Sequence, residues 1–403
     1  MTDDAISYFR DIVTTDRRLK ELEAFPGKVV GTFCNFVPEE IIYALGALPV
    51  RLCSGDADAA RSAEEIFPRD TCSLVKSCVG AAAAGAGLFP RLDLLVIPTP
   101  CDAKTRLGSV LERFAPVHVL QLPPSKSSPA ALDFWLGQVQ ELVARLEALT
   151  GGRLTRPALG AAVELLNHRQ RAFRRFLAIR KLVPSVVTGE EALFVTGASF
   201  NDDAGRWTLN LEALCVEREE RWRRKRAGDG HRMPRLLLAG APVIYPNFKL
   251  ARIIESAGAV VAMDDLCSGT QRLYHPTVTR DRSLRSMVRA AAERCLLPPA
   301  CPCFIEQTDR LNRLQELAEE YQVDGVVYHS LRICPLFDIE GAVVERELKE
   351  HGIPCLTLST DYSQEDTLQI RTRVEAFLEM ISWPAVVSPQ GRDSARPLRA
   401  GGE

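Results

Sequence analysis

Several features are missing from this chain of 403 residues, and each absence closes a class of function. No stretch is long and apolar enough to span a bilayer. No GxxxxGK(S/T) loop occurs, so the chain does not hydrolyse ATP through a P-loop. The HExxH pair of helical zinc hydrolases is absent, and so is the CxxC spacing of most structural zinc sites. Gly80, Gly85 and Gly87 fall in an alanine-rich segment without the order of a dinucleotide fingerprint. The formal net charge is only −2, which argues against a general nucleic-acid binder. The first residues, MetThrAspAspAlaIleSer, are acidic and unlike a secretory signal. The expected location is the cytoplasm, with no nucleic-acid and no membrane partner.

What is present describes a soluble globular protein, with 46% hydrophobic and 25% charged residues. The length exceeds one ordinary core, so two or three domains are expected. Twelve cysteines are the outlier. In a reducing compartment they are not expected to pair as disulfides. Free cysteine also serves as a small core hydrophobe, a role expected for about half of them.

Short apolar runs alternate with helical pattern. Residues 28–34, 49–53, 93–98 and 117–122 read as buried strands, and the pattern restarts at 235–240, 259–263, 325–330 and 354–359. Continuous apolar strands separated by helices indicate parallel sheets covered on both faces. The expected fold is therefore α/β: two doubly wound domains with parallel four-stranded sheets, plus a helical connector layer. The boundaries fall at 1–150, 151–230 for the connector, 231–383, and a polar tail at 384–403 expected to be disordered. The halves match in element order, with Cys53, Cys72 and Cys101 in the first answered by Cys267, Cys301/Cys303 and Cys334 in the second. Ligands of open parallel sheets bind beyond the carboxyl ends of the strands, where these cysteines lie.

Cys72, Cys101 and Cys334 are read at junctions where a buried strand gives way to a helix. Asp102 follows Cys101 as an N-cap and Pro335 follows Cys334 as a first helical residue. Positive helix ends there would favour thiolates, so the three are candidate metal ligands rather than unrelated core thiols. Cys301-Pro302-Cys303 is a second candidate, since two thiols on one side of an extended loop suit a metal. Cys34 precedes a helix start at Pro38, Glu39 and Glu40, and reads equally as ligand or core. Cys78 reads as packing, Cys53 and Cys267 are ambiguous, and Cys215, Cys295 and Cys355 read as core. Zinc competes, but the wide dispersal of the thiols suits an iron–sulfur cluster assembled between domains. His118 reads as a hydrogen-bonded core histidine and His329 as a candidate proton donor near Cys334. The charged run at 217–226 reads as a solvated or docking face.

Taken together, GlyThrPheCysAsnPheValProGluGluIle (31–41), ArgAspThrCysSerLeuValLysSer (69–77), ThrProCysAspAlaLys (99–104), ProValHisValLeuGlnLeuPro (116–123), TyrGlnValAspGlyValVal (321–327), Cys334 and LeuSerThrAspTyrSer (358–363) resemble the 2-hydroxyacyl-CoA dehydratase D-component family over about residues 7–382. That family includes dehydratase subunits, benzoyl-CoA reductase subunits and double-cubane cluster proteins. The resemblance implies a 4Fe–4S cluster on Cys72, Cys101 and Cys334, a homodimer or a heterodimer with a related subunit, and a separate activator ATPase with its own Fe–S cluster. Cys34, Cys53, Cys267 and the CxC loop resemble the double-cubane branch, which implies an 8Fe cluster with Cys34, Cys301 and Cys303 as extra ligands. The chain departs from that branch at AlaGlyAlaGlyLeuPhePro (84–90), where relatives place a cysteine before Pro-Tyr-Phe, and Cys78 is the candidate substitute.

Three functions follow as expectations. One is an ATP-activated, low-potential iron–sulfur reductase acting on a small molecule. Another is a subunit of a 2-hydroxyacyl-CoA dehydratase or benzoyl-CoA reductase, with a single 4Fe–4S cluster, an acyl-CoA substrate and a ketyl-radical mechanism. The third is a non-enzymatic Fe–S or zinc scaffold.

Overall fold

Apolar runs of four to seven residues need cover on both faces, and this chain meets that demand twice. A computed structural model describes residues 4–225, 232–298 and 301–382. The expected tail at 384–403 lies outside the described residues. Helices α1 (Ile6–Thr14) and α2 (Arg17–Glu23) lead into β1 (Val29–Thr32), α3 (Glu39–Ala44), β2 (Leu48–Arg51), α4 (Ala57–Ser62), α5 (Ser73–Ala83), β3 (Leu94–Pro98), α6 (Asp102–Leu111) and β4 (Val117–Leu120). Four helices follow: α7 (Pro129–Thr150), α8 (Arg156–Arg180), α9 (Gly189–Ala198) and α10 (Ala204–Lys225). The second half holds β5 (Arg235–Gly240), α11 (Lys249–Ser256), β6 (Val260–Leu266), α12 (Thr270–Tyr274), α13 (Leu284–Leu296) and α14 (Thr308–Glu320). It closes with β7 (Gly325–Leu331), α15 (Pro335–Glu350), β8 (Cys355–Thr360) and α16 (Thr367–Ser382).

The fold is α/β, with two four-stranded parallel sheets of the same order, β2-β1-β3-β4 and β6-β5-β7-β8. Strand order reverses between β1 and β3, and again between β5 and β7. The crevice at such a reversal is where open α/β sheets bind ligands. Side chains alternate across the first sheet. Val30, Leu94 and Val96 face α3, α7 and α8, while Val29, Leu95 and Ile97 face α5 and α6. In the second sheet, Gly240 ends β5 at φ +106°, where an added Cβ would stand 2.0 Å from the His329 carbonyl oxygen. Only glycine lets β5 close onto β7 there.

Two runs read as buried strands are not fully buried. β4 and β8 are half-buried over much of their length, unlike β2 and β6 at the opposite edges, which are fully buried. His118 is therefore not a satisfied core histidine: it is half-buried, and its Nε2 finds no hydrogen-bond partner among the described residues. Cys355, read as core, is half-buried at the start of β8, whereas Cys215 and Cys295 are buried.

The long helices start and stop on local signals. Ser128 and Thr155 cap α7 and α8 by accepting from the amides of Ala131 and Ala158, each with a proline in the first turn. Gly151, at φ +72°, ends α7. The 25-residue α8 spans both halves. Its Leu159 and Val163 join the first core, and Phe173, Phe176 and Leu177 join the second. Packing also crosses in both directions: Ile6, Phe9 and Ile12 of α1 enter the second core, and α13 packs on α7, where Trp135 Nε1 donates to the Ala292 carbonyl at 2.9 Å. Within the charged run, Arg218 of α10 is buried and bonds to Asp4 and Glu191 rather than facing solvent. Arg226 lies outside the described residues. No helix of the described residues is long and apolar enough to cross a membrane.

Candidate metal centre

Cys72, Cys101 and Cys334 are the N-cap residues of α5, α6 and α15. Cys101 and Cys334 follow β3 and β7, the strands that flank the two order reversals. Cys72 departs from expectation, because bends rather than a strand precede it. Backbone amides at each helix start point at the sulfurs: Leu74 and Val75 at Cys72, Ala103 and Lys104 at Cys101, and Phe337 at Cys334. The expectation that helix ends make these thiols acidic does not hold for the protein alone. Burial outweighs the amides and pushes all three up, Cys334 to about 12. A helix end supplies only a partial charge, whereas burial removes the whole hydration of a thiolate.

Six cysteines line one cavity of about 90 Å³: Cys34, Cys72, Cys101, Cys267, Cys301 and Cys334. Both sheets contribute. Cys34 follows β1 in a left-handed turn at φ +57°, and Cys334 follows Ile333 at φ +62°. Non-glycine residues avoid that region, and such strain clusters at functional sites. Cys267 follows β6, and burial pushes its thiol to about 11. The Cys301 thiol is raised well above its ordinary value, first by its hydrogen bond with Cys303 and then by burial. Each sulfur also raises its neighbours: Cys72, Cys101 and Cys301 all act on Cys334.

Cys303 is the candidate that the structure leaves outside the cavity lining, though it touches Cys301. The CxC segment is a turn and not the expected extended loop, yet its two thiols are in hydrogen-bonding contact with each other. Cys53 and Cys78 face a second, larger cavity of about 630 Å³, lined also by Ile12, Arg18, Arg51, Ala84, Phe89 and Asn201. Arg51 joins the two spaces. It donates to Asn35 Oδ1 at 2.6 Å and to the Cys267 carbonyl at 3.0 Å, and its Nε has no partner among the described residues. His329 is not a proton donor to this site. Its Nδ1 donates to the Ala241 carbonyl at 3.3 Å and its Nε2 accepts from Thr360 at 2.7 Å, while burial lowers its pKa to about 4.

The residues present fit a multinuclear anionic group. Among the described residues, no three His, Cys, Asp or Glu side chains converge on a point that would hold a single ion. The six sulfurs surround a space instead, and the rest of the lining is almost wholly apolar, including Phe36, Val75, Leu331 and Phe337. The exceptions are Asn35 and Lys104, and the Lys104 ammonium is buried and lacks a hydrogen-bond partner among the described residues. An apolar cavity of thiols with an orphaned cation calls for negative charge inside.

Buried ion pairs bolt the sulfur-bearing loops together. Glu39, five residues after Cys34, accepts from Arg169 at 2.9 Å and from Arg272, five residues after Cys267, at 2.5 Å. Glu40 accepts from Arg294, seven residues before Cys301, at 2.6 Å and 2.9 Å. These pairs span the two halves of the chain.

The sequence model of the 2-hydroxyglutaryl-CoA dehydratase, D-component family matches residues 34–381. YjiM of Escherichia coli (strain K12), provisionally named a dehydratase subunit, is 33% identical over 88% of this chain and 91% of its own. The (R)-phenyllactyl-CoA dehydratase beta subunit of Clostridium sporogenes is 21% identical over 93% of this chain and 97% of its own. A benzoyl-CoA reductase subunit of Thauera aromatica is 20% identical over 91% and 94%.

Proposed function

The chain belongs to the 2-hydroxyglutaryl-CoA dehydratase D-component family, and from that membership we propose that it is a cytoplasmic, low-potential iron–sulfur reductase charged by a partner ATPase. It is an enzyme component of the dehydratase and reductase kind. One observation carries the proposal: thiols from both halves line a single apolar cavity that also holds a buried ammonium without a hydrogen-bond partner among the described residues. In this reading residues 1–150 and 231–383 are the two cluster-holding domains, joined by the connector at 151–230.

Cys72, Cys101 and Cys334 would hold a 4Fe–4S cluster. Cys34 and Cys301, with Cys267 added by its place in the cavity and Cys303 by its contact with Cys301, would extend the ligand set toward a double-cubane 8Fe cluster. When bound, such a cluster supplies single electrons at low potential. The helix-start amides aim at sulfur and would donate to it as thiolate. The apolar lining keeps water out, which makes added negative charge costly and matches a need for ATP-driven reduction. The chain has no P-loop, so that hydrolysis would come from the partner.

The 630 Å³ cavity beside Arg51, Cys53 and Cys78 is the space for a small substrate. Its size also favours a second reading, in which the chain is one subunit of an acyl-CoA dehydratase with a related partner subunit and a single cubane. The relatives named as single subunits of a dehydratase and a reductase support an assembly of unlike chains. Anaerobic iron analysis of alanine variants tests the ligand set. Cys72→Ala, Cys101→Ala and Cys334→Ala should each lose cluster, while Cys355→Ala should keep it. Unchanged iron in Cys334→Ala would refute the assignment.

A further inference from the structure

Lys104 stands apart from the other buried cations of this protein. Every other buried arginine or lysine of the described residues donates to a carboxylate or a backbone carbonyl, as Arg180 does to Asp264 and Lys249 to Asp366. Lys104, 4% exposed, does neither. It is the third residue of α6, three positions after Cys101, and lines the sulfur cavity. Its Nζ lies 4.1 Å from the ring centroid of Phe33. A ring quadrupole attracts a cation but does not cancel a unit charge. Burial opposes the charge on Lys104, and only ionised sulfur at Cys78, Cys34, Cys53 and Cys101 would outweigh burial and hold the ammonium charged. An uncompensated ammonium inside an apolar cavity is costly to keep unless negative charge comes to it.

We propose that Lys104 is the fixed counter-cation of the anionic group gripped by the cavity thiols, and that it sets how readily that group accepts an electron. The inference rests on the iron–sulfur reading above. Lys104 neither gains nor loses a proton in this role. One electron enters from an external reductant, and the nearby positive charge makes its arrival more favourable. Removing that charge should therefore move the reduction potential to more negative values without removing a ligand.

The experiment uses the full chain, purified anaerobically, as wild type, Lys104→Met and Lys104→Arg. Iron and sulfide per chain are measured first, and each sample is then titrated with a low-potential reductant and followed by electron paramagnetic resonance. The expected result is unchanged iron in all three, a potential shifted negative in Lys104→Met, and a potential near wild type in Lys104→Arg. Iron lost from Lys104→Met but kept in Lys104→Arg also supports the proposal, since charge then decides whether the group is held. Equal potentials in wild type and Lys104→Met overturn it, as does loss of iron from both variants. Absence of iron from the wild type would instead overturn the underlying reading.

Discussion

Replacing Glu39 with glutamine should loosen the frame on which the candidate centre hangs. Glu39 is 7% exposed and accepts from Arg169, 3% exposed, and Arg272, 8% exposed. Burial pushes its carboxyl up, but the two guanidiniums outweigh burial and hold it well below the usual carboxylate range. Burial also pulls Arg272 down to about 10 despite Glu39, so the guanidinium is costly to keep charged even when paired. Glu39→Gln removes the counter-charge of both arginines, although Arg272 still donates to the carbonyl and hydroxyl of Ser199. Breaking a buried pair by removing one partner costs about 3–5 kcal/mol. A chain of 403 residues loses about 1.2 °C of Tm per kcal/mol, so thermal unfolding should drop by about 4–6 °C. The double variant Glu39→Gln/Arg272→Met should recover part of the loss, because it leaves only Arg169 unpaired. The sign of the pH dependence follows from a lowered carboxyl pKa. Its stabilisation is complete above the unfolded value of about 4.3 and fades as pH falls below it, so wild type and variant should converge in acid. A Tm drop below about 2 °C at pH 7, or a double variant less stable than Glu39→Gln, would refute the reasoning.

Other perturbations separate packing from chemistry. With iron removed and disulfides reduced, iodoacetamide should label Cys334 slowly at pH 7 and about tenfold faster per pH unit up to pH 10, since its thiol is pushed to about 12; a plateau near pH 8.5 would contradict this. Gly240→Ala should cost about 3–5 kcal/mol in thermal or urea unfolding, from a positive φ and from collision with the His329 carbonyl, whereas an unchanged midpoint would mean that β5 and β7 can separate there. Ala84→Trp should fill part of the 630 Å³ cavity and impair turnover while leaving iron content intact, and full turnover would move the substrate elsewhere.

How much of the fold and the site is legible in the sequence depends on distance along the chain. The strands are local signals, and all eight lie within two or three residues of the apolar runs that announced them. Their exposure was not readable, because β4 and β8 carry the same kind of run as the buried strands, and even edge position does not decide it, since the opposite edges β2 and β6 are fully buried. Cys101 and Cys334 were legible because a strand-to-helix junction is written in adjacent residues. Cys267 was not, since Cys53 holds the matching place in the other half, and only the docking of the halves decides which one faces the shared cavity. Glu39 and Glu40 read as ordinary helix-start charges, and their arginine partners lie 130 to 254 residues away. Lys104 closes one of the segments that carry the resemblance, but nothing in the sequence marked its charge as buried, because a helix lysine is expected in solvent and its meaning comes from the sulfurs around it.

The most direct measurement is the metal and sulfide content of the wild-type chain purified without oxygen. A brown protein with about eight irons per chain and matching acid-labile sulfide is the predicted result, and about four would favour the dehydratase-subunit reading. A colourless chain that is iron-free, or holds zinc alone, would contradict the account.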